Sequence, residues 1–339
     1  MYKSIGSLGR WRLGSSYDTI CIIVWTKRFQ ELGKDDANIA GGKGASLGEM
    51  TRAGIPVPGG FVVVAGAFEH FITSTSLKAE IEELLKPVSI ENSASVDLAS
   101  EKIQERILNN THPIPTEMAN EIMDAFGALN AEFVAVRSSA TVEDGPDAAW
   151  AGQLDTYLNT TKEHVLQNVR RCWASLYTPR AIFYRYEKNL GQTDISVSVV
   201  IQKMVQSDAS GVAFSVDPVT EDHNHLFIEG AWGLGEAVVG GHVTPDAYVI
   251  SKQPREIIEK NIASQEKGLY KKQTGDSEWR DIPSEKREAQ KLADEHILHL
   301  ADVIEMIEKH YGRPQDIEWA IENGTLYILQ SRPITTLSK

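Results

Sequence analysis

Apolar residues recur at helical spacing through much of the first half of the chain. Residues 66–130 are predicted to be mostly helical, with breaks at Lys86-Pro87 and His112-Pro113, because proline cannot continue a helix. Two shorter helices are predicted within residues 163–188, and they are separated near Thr178-Pro179. The first half is therefore expected to be rich in helices.

The second half carries short apolar runs that are typical of strands, and it ends in a predicted hairpin at residues 316–332. The predicted strands are residues 61–64, 133–137, 195–204, 211–216, 225–229 and 247–251, and the longest predicted helix covers residues 284–311. Strands and helices alternate without a strict βαβ rhythm. We therefore predict an α+β fold with mixed or antiparallel sheets.

The change from helices to strands suggests two lobes that meet near residue 190. We assign residues 21–190 to an N-terminal lobe and residues 191–339 to a C-terminal lobe. Residues 1–20 are rich in glycine and serine without periodicity, and we expect them to form a loose extension.

Composition narrows the class of protein. The 339 residues carry a formal net charge of -13, which opposes binding to nucleic acid or to an anionic membrane. Cys21 and Cys172 lie far apart and outside any CxxC pattern, so neither a disulfide framework nor a zinc site is predicted. The longest apolar run, residues 20–25, is too short to cross a bilayer, and no signal peptide is recognisable. A cytoplasmic protein is expected.

A glycine-rich tetrapeptide is the first candidate for chemistry. Gly41-Gly42-Lys43-Gly44 precedes a predicted helix at residues 44–54, so its backbone can approach a phosphate closely. Lys43 adds a full positive charge. The spacing differs from a Walker A loop, and a flexible turn with an exposed lysine is an equally good interpretation.

A second candidate lies where an apolar strand ends in Arg137-Ser138-Ser139-Ala140-Thr141. The planar fork of Arg137 can bind two phosphate oxygens from a rigid strand end, although a structural ion pair would also explain it. The following loop, residues 142–153, is rich in small residues and could cover a ligand as a lid.

The terminal hairpin offers two registers. Asn323-Gly324 usually forms a two-residue turn, but that register mixes polar and apolar residues on both faces. A three-residue loop pairs Ile321 with Thr325 and separates the faces cleanly, so we predict the second register. It places Ile317, Trp319, Ile321, Tyr327 and Leu329 on one face and Asp316, Glu318, Gln330 and Arg332 on the other. Carboxylate and amide oxygens suit Mg²⁺, although a solvated polar face is the alternative.

Three weaker signals complete the survey. Met204 and Val205, at the end of a buried strand, could supply an apolar slot for an adenine, although core packing is the better explanation of these residues alone. Residues 230–241 are glycine-rich but lack the GxGxxG spacing, so a dinucleotide site is improbable. His242 lacks the surroundings of a phosphorylated histidine.

Together these segments resemble a known family. GGKGASLGEM, IPVPGGFVV, VAVRSSATVEDGPDAAWAGQLDTYLN, SGVAFSVDP, GAWGLGEAVV and LYILQSRP are similar to the ATP-binding domain of the phosphoenolpyruvate synthase and pyruvate phosphate dikinase family. Rifampicin phosphotransferases are similar over the same stretch. The resemblance runs from about Val24 to Ile334, and it implies an ATP-grasp fold with two lobes that clamp ATP.

The resemblance also implies a role for each matched residue. Lys43 and Arg137 would be phosphate ligands, and Arg332 would contact the transferred phosphoryl group. Glu318 and Gln330 would bind metal and nucleotide, with Asp316 assisting at the Mg²⁺. Gln202 and the backbone near Met204 would hold adenine. The lid departs from the family pattern at Gly145, Ala149 and Trp150, which puts its contacts in doubt.

Relatives in this family continue into a swivelling phosphohistidine domain and a pyruvate-binding barrel, and no match to either occurs in this sequence. We expect such partners on another chain, or none. The implied activity is phosphoryl transfer from Mg-ATP to a histidine supplied elsewhere. Alternatives are a small-molecule phosphotransferase domain, a non-catalytic nucleotide-binding subunit, or a truncated fragment.

Overall fold

The chain forms two compact units in a computed structural model that describes residues 10–11, 21–22, 24–109, 111–140, 155–187, 196–335 and 337. The first unit comprises the described residues up to Gly44 together with residues 60–202. The second comprises residues 45–59 and the described residues from Lys203 onwards. Compared with a division near residue 190, the second unit includes a segment from early in the chain.

The first unit is built on a five-stranded sheet. Its strands, in spatial order, are β3 (Thr26–Arg28), β4 (Gly60–Val63), β7 (Val197–Lys203), β5 (Val134–Ala140) and β6 (Thr156–Thr160). A separate ribbon pairs β1 (Arg10–Trp11) with β2 (Cys21–Ile22). β4, β5 and most of β7 are buried, which places the sheet at the centre of the unit.

Helices cover this sheet, and the helix-rich first half is confirmed. They are α1 (Ala37–Arg52, which continues into the second unit), α2 (Ala65–Ser74), α3 (Leu77–Leu85), α4 (Ser93–Leu108), α5 (Thr116–Leu129), α6 (Val165–Ala174) and α7 (Pro179–Glu187). Trp173 lies at the centre of the apolar core and stacks on Phe71, with 5.0 Å between the ring centroids. The predicted break between α6 and α7 at Thr178-Pro179 is confirmed.

The second unit contains a six-stranded antiparallel sheet. Its order is β11 (Glu256–Asn261), β10 (Asp246–Ser251), β9 (His225–Trp232), β8 (Ala209–Phe214), β14 (Gln315–Glu322) and β15 (Thr325–Pro333). β12 (Lys267–Lys271) and β13 (Ser277–Asp281) form a separate hairpin, and α8 (Glu236–Val239) is short. The predicted combination of helices with antiparallel sheets is therefore confirmed.

The longest helix, α9 (Asp294–Tyr311), packs on one face of the six-stranded sheet and begins ten residues later than predicted. The preceding residues cannot join the helix because their amides are used elsewhere. The Lys291 N–H donates to the Asp246 carboxylate at 2.8 Å, and the Lys291 ammonium pairs with the same fully buried carboxylate. Helical periodicity in this segment was therefore misleading.

Residues 45–59 belong to the second unit because they contact its last strand and its long helix. The Ser46 hydroxyl donates to the Ser331 carbonyl at 2.8 Å, and the Ile328 N–H donates to the Pro56 carbonyl at 2.9 Å. Glu49 accepts from His310 at 2.8 Å. The segment thus covers part of the outer edge of β15, which would otherwise present unpaired backbone groups.

None of the helices in the described residues is long and apolar enough to cross a membrane.

Candidate functional site

The glycine-rich tetrapeptide, residues 41–44, is here called the glycine turn. The structure places it inside α1 rather than before a helix, and it breaks α1 at Gly41, where φ is 65° and ψ is 171°. This conformation is essentially restricted to glycine. A Cβ at this position would overlap the Ser139 hydroxyl and lie 2.5 Å from the Ser139 carbonyl oxygen. Gly41 is therefore required both by its conformation and by a close approach to β5.

The glycine turn lies against β5, the strand that carries Arg137. The Lys43 N–H donates to the Ser139 hydroxyl at 3.1 Å, so the two candidate phosphate-binding segments meet in one unit. The strand was predicted to end at Arg137, but β5 continues to Ala140 and places Arg137 at its middle, 9% exposed. The neighbouring Ser138 hydroxyl donates to the Asp155 carbonyl at 3.0 Å. The predicted lid, residues 142–153, lies outside the described residues.

Gln202 has the clearest unmet need for a ligand. It is the next-to-last residue of β7, a strand with neighbours on both sides, and its side chain is only 3% exposed. Its Nε2 atom is buried and has no hydrogen-bond partner in the described part of the chain. Burying an unsatisfied amide donor costs about 1–3 kcal/mol, which an acceptor on a bound ligand or a water would offset. The buried indole nitrogen of Trp173 also lacks a partner among the described residues, so this feature alone does not define a ligand site.

Met204 follows directly and is assigned to the second unit. Its side chain is half-buried, and the preceding Lys203 N–H donates to the Gly59 carbonyl at 2.8 Å. This bond fixes the backbone next to Met204.

The hairpin of β14 and β15 brings the four predicted polar residues together. We call Asp316, Glu318, Gln330 and Arg332 the polar quartet. Asp316 lies opposite Arg332 and Glu318 lies opposite Gln330, so all four share one face. Both the Nε and an Nη atom of Arg332 lie 2.8 Å from the Asp316 carboxylate.

The predicted register of this hairpin was wrong at its tip. Glu322 pairs with Thr325, so Asn323-Gly324 forms a two-residue turn, with φ of 49° and 76°. The register then shifts between Glu318 and Trp319, where Leu329 is the extra residue of a β-bulge. The bulge restores the predicted partition of the polar quartet. Near the tip, however, Leu326 and Ile328 occupy the apolar face in place of Tyr327 and Leu329.

Burial controls the electrostatics of the quartet. Desolvation raises the pKa of Asp316 above its ordinary value, while the charge and hydrogen bond of Arg332 lower it and the charge of Glu318 raises it. The pKa of Asp316 therefore reflects the opposing effects of burial and of Arg332. Gln330 is 6% exposed, whereas Glu318 is half-buried.

Sequence reasoning missed a third acid on the same face. Glu229 of β9 lies opposite Val212 of β8, which lies opposite Glu318. Two strand spacings separate the backbones of Glu229 and Glu318 by about 10 Å. Burial raises the pKa of Glu229. Buried and half-buried residues alternate along β9 in the structure, but in the sequence Phe227 shares the face of Glu229, so the alternation of polar and apolar residues is incomplete.

The oxygen ligands of the polar quartet suit a hard cation whose remaining coordination positions are filled by the oxygens of a bound phosphate. Within the described ranges, no three histidine, cysteine or acidic side chains cluster as a self-sufficient metal site. Two carboxylates and an amide remain on the quartet face. Mg²⁺ is usually held by one or two carboxylates, with phosphate oxygens and water completing its shell, and this set matches that preference.

The glycine-rich segment at residues 230–241 and His242, both judged non-functional from the sequence, lie in the second unit. The glycine-rich segment leads from β9 through the four-residue α8 to antiparallel β10, which differs from the parallel βαβ unit of a dinucleotide site. His242 is exposed and meets Trp279 edge-on, with 5.9 Å between the ring centroids. That His242 is not phosphorylated stays a prediction.

Comparison with known proteins identifies the family. A model described as the AMP/ATP-binding domain of pyruvate phosphate dikinase matches residues 37–339. The chain belongs to this family of AMP/ATP-binding domains.

Its relatives are longer proteins. A probable phosphoenolpyruvate synthase of Methanocaldococcus jannaschii is 44% identical, over 95% of this chain and 27% of the relative. One from Archaeoglobus fulgidus is 46% identical, over 94% of this chain and 42% of the relative. A rifampicin phosphotransferase of Bacillus subtilis is 39% identical, over 91% of this chain and 35% of the relative. The chain thus spans less than half the length of each.

Proposed function

We propose that this chain binds Mg-ATP in an ATP-grasp fold and transfers a phosphoryl group to a histidine on another domain or chain, as in a phosphoenolpyruvate synthase. The unpartnered, buried Nε2 atom of Gln202 carries the nucleotide part of this proposal, since it suits an adenine acceptor. The match to a family of AMP/ATP-binding domains supports ATP as the ligand. The 44% identity to a probable phosphoenolpyruvate synthase supports the type of reaction.

The first group of proposed ligands binds phosphate. Lys43 and Arg137 would neutralise the triphosphate, and the adjacency of their backbone segments supports this pairing. Positioned cations stabilise the charge that develops on a transferred phosphoryl group, and no general base is needed when the acceptor is an imidazole. Gln202 and the backbone at Met204 would hold adenine.

The second group binds metal and phosphoryl oxygens. Glu318, Gln330 and Asp316 would hold Mg²⁺, which supplies charge neutralisation to the phosphates when it is bound. Arg332 would contact the transferred group. Its two contacts with Asp316 hold the guanidinium in a defined orientation, with half of the side chain still exposed.

A second candidate is the ATP domain of a small-molecule phosphotransferase. The 39% identity to a rifampicin phosphotransferase favours it, since both classes of relative cover this chain almost fully. A non-catalytic nucleotide-binding subunit is the third. Swivelling phosphohistidine and pyruvate-binding barrel domains would be partners of the first candidate, and the proposed location is the cytoplasm.

Titration calorimetry with ATP and Mg²⁺ tests the nucleotide site. Arg137→Ala and Glu318→Ala should each weaken binding roughly 30- to 100-fold, because each removes a charged ligand worth about 2–3 kcal/mol. Matched controls are Arg171→Ala, an exposed arginine of the same unit, and Glu322→Ala, an acid on the same strand as Glu318. Binding that is absent in the wild type, or unchanged in both ligand variants, would refute the site.

Phosphoryl transfer separates the catalytic and non-catalytic candidates. When a phosphohistidine domain of a related synthase is added, a catalytic chain should consume ATP and place labelled phosphate from ATP on the histidine of that domain. Tight Mg-ATP binding without labelling of the histidine would favour the non-catalytic subunit.

A further inference from the structure

Two buried serines from different strands meet at the glycine turn. Ser139 lies near the end of β5 and Ser198 lies in β7, and both are 0% exposed. The Ser139 hydroxyl accepts the Lys43 N–H at 3.1 Å. The Ser198 hydroxyl faces the Ala40 carbonyl at 2.5 Å and the Ser139 carbonyl at 3.1 Å. The backbone before the break, the backbone after it and the strand are thus joined by two side chains.

The Ser139 hydroxyl caps the helical segment that follows Gly41, where the local sequence provides no capping side chain. The break at Gly41 makes Gly42 the first residue of a new helical segment and Lys43 the second. A residue in the position of Gly41 normally caps the second or third amide with a side-chain oxygen, and loss of such a cap costs about 1 kcal/mol. Glycine has no side chain, and Ser139 supplies the oxygen from the neighbouring strand.

Ser198 fixes the other side of the break. Its single hydroxyl proton is shared between the Ala40 carbonyl of α1 and the Ser139 carbonyl of β5, and the contact with Ala40 is the shorter. Removing this hydroxyl would leave the buried Ala40 carbonyl without that donor. Such a loss costs about 1–3 kcal/mol in a buried site. The cost can be relieved only if the turn moves away from β5 and β7.

We propose that Ser139 and Ser198 are positioning residues that hold the glycine turn, and with it Lys43, in the shape that binds the phosphates of ATP. The inference rests on the proposed function. Neither serine needs to contact the nucleotide base. Their contribution should therefore be seen with ATP and not with adenosine, which has no phosphate.

The test compares Mg-ATP and adenosine on the full 339-residue chain by titration calorimetry. Ser139→Ala and Ser198→Ala should each weaken Mg-ATP binding about tenfold, the loss expected for one buried hydrogen bond of about 1.4 kcal/mol. Adenosine affinity should stay within twofold. Ser198→Cys should follow Ser198→Ala, because its thiol, although larger than a hydroxyl, is only a weak donor.

Ser196→Ala is the matched control. Ser196 is buried just before β7 and donates to the Ala65 carbonyl at 3.3 Å, on a different part of the backbone. It should lose thermal stability to a similar degree without a selective loss for Mg-ATP. If Ser198→Ala fails to fold, Ser198→Cys and Ser139→Ala decide the question.

The outcomes are distinguishable from failure of the proposed function. Unchanged Mg-ATP affinity in the serine variants, or an equal loss for Mg-ATP and adenosine, would overturn the positioning role while leaving ATP binding intact. A wild-type chain that binds no Mg-ATP would remove both the function and the inference.

Discussion

The glycine turn and the polar quartet present charged groups in two different ways. The glycine turn depends on contacts between residues far apart in sequence, since Gly41 and Lys43 lie against Ser139, and Ser198 joins Ala40 to the strand. The polar quartet lies on one hairpin, and its members face each other across neighbouring strands. We therefore expect the hairpin that carries the polar quartet to tolerate small substitutions. A single added carbon at Gly41, by contrast, should disrupt the contacts of the glycine turn with β5.

The largest expected effect is that of Gly41→Ala. The new Cβ would combine a glycine-only conformation with overlap against β5, so we expect a loss of about 3 kcal/mol in the free energy of unfolding. Thermal unfolding of the chain should show the midpoint of the first unit lowered by roughly 6–12 °C. Gly127→Ala is the control, because Gly127 has open space and lies inside α5. It should be neutral or slightly stabilising. Equal midpoints for the two variants would contradict the close approach.

Removing Mg²⁺ should distinguish substitutions in the polar quartet from those near the glycine turn, with a somewhat smaller change in free energy than that of Gly41→Ala. Glu318→Gln keeps the shape of the side chain but removes the charge of a proposed metal ligand, so Mg-ATP binding should weaken by about 2 kcal/mol, roughly 30-fold. Binding of ATP in EDTA should be unchanged or slightly tighter, since a negative charge has been removed. Arg137→Ala should weaken binding in both conditions. Calorimetry with and without Mg²⁺ decides this, with Glu322→Gln as control. A similar loss for Glu318→Gln in EDTA would argue against a metal role.

Gly324→Ala tests a positive φ without a clash. Gly324 has φ of 76° in the hairpin turn, and nothing lies within 4 Å of its added Cβ. The substitution should cost about 1 kcal/mol from backbone strain alone. Urea denaturation monitored by tryptophan fluorescence provides the measurement. A cost as large as that of Gly41→Ala would mean that the local turn is no more tolerant than the non-local one.

The smallest effect concerns the pKa of Asp316, which NMR of the carboxyl carbons can follow. Arg332→Ala should raise this pKa further, because it removes a favourable positive charge, and Glu318→Gln should lower it. A carboxyl with a raised pKa in the folded state binds protons more tightly than in the unfolded chain. Its contribution to stability is therefore greatest below the unfolded value and falls as the pH rises through the folded pKa. Shifts of the opposite sign would show that the quartet is not electrostatically coupled.

Sequence reasoning succeeded where a pattern was local. The helices of the first unit and the shared face of the polar quartet followed from periodicity and strand alternation. The bulge at Leu329 could not be foreseen, because it depends on how β14 pairs with both of its neighbours. The start of α9 was missed because a buried Asp246 takes an amide that periodicity assigned to the helix. The exposed strands β11 and β13 gave little apolar alternation to detect.

The candidate site shows the same limit. Lys43, Arg137 and the quartet were recognisable as residue types in suggestive contexts, and their roles stay proposals. The break at Gly41 and the two serines that support it involve three separate parts of the chain. No local pattern marks Ser198, whose importance depends on the neighbouring strand and on a carbonyl of α1.

The second unit is built from two separate stretches of the chain, and this has a consequence for its synthesis on the ribosome. Residues 45–59 emerge early, but the strand and helix that they contact, β15 and α9, lie near the other end of the chain. At about 5–20 residues per second, residues 60–202 alone take roughly 7–30 s to be made. During that time the apolar side chains of Leu47, Met50 and Ile55, which end up buried, lack their final neighbours. This segment therefore exposes apolar side chains for longer during synthesis than a segment whose partners are its neighbours in sequence.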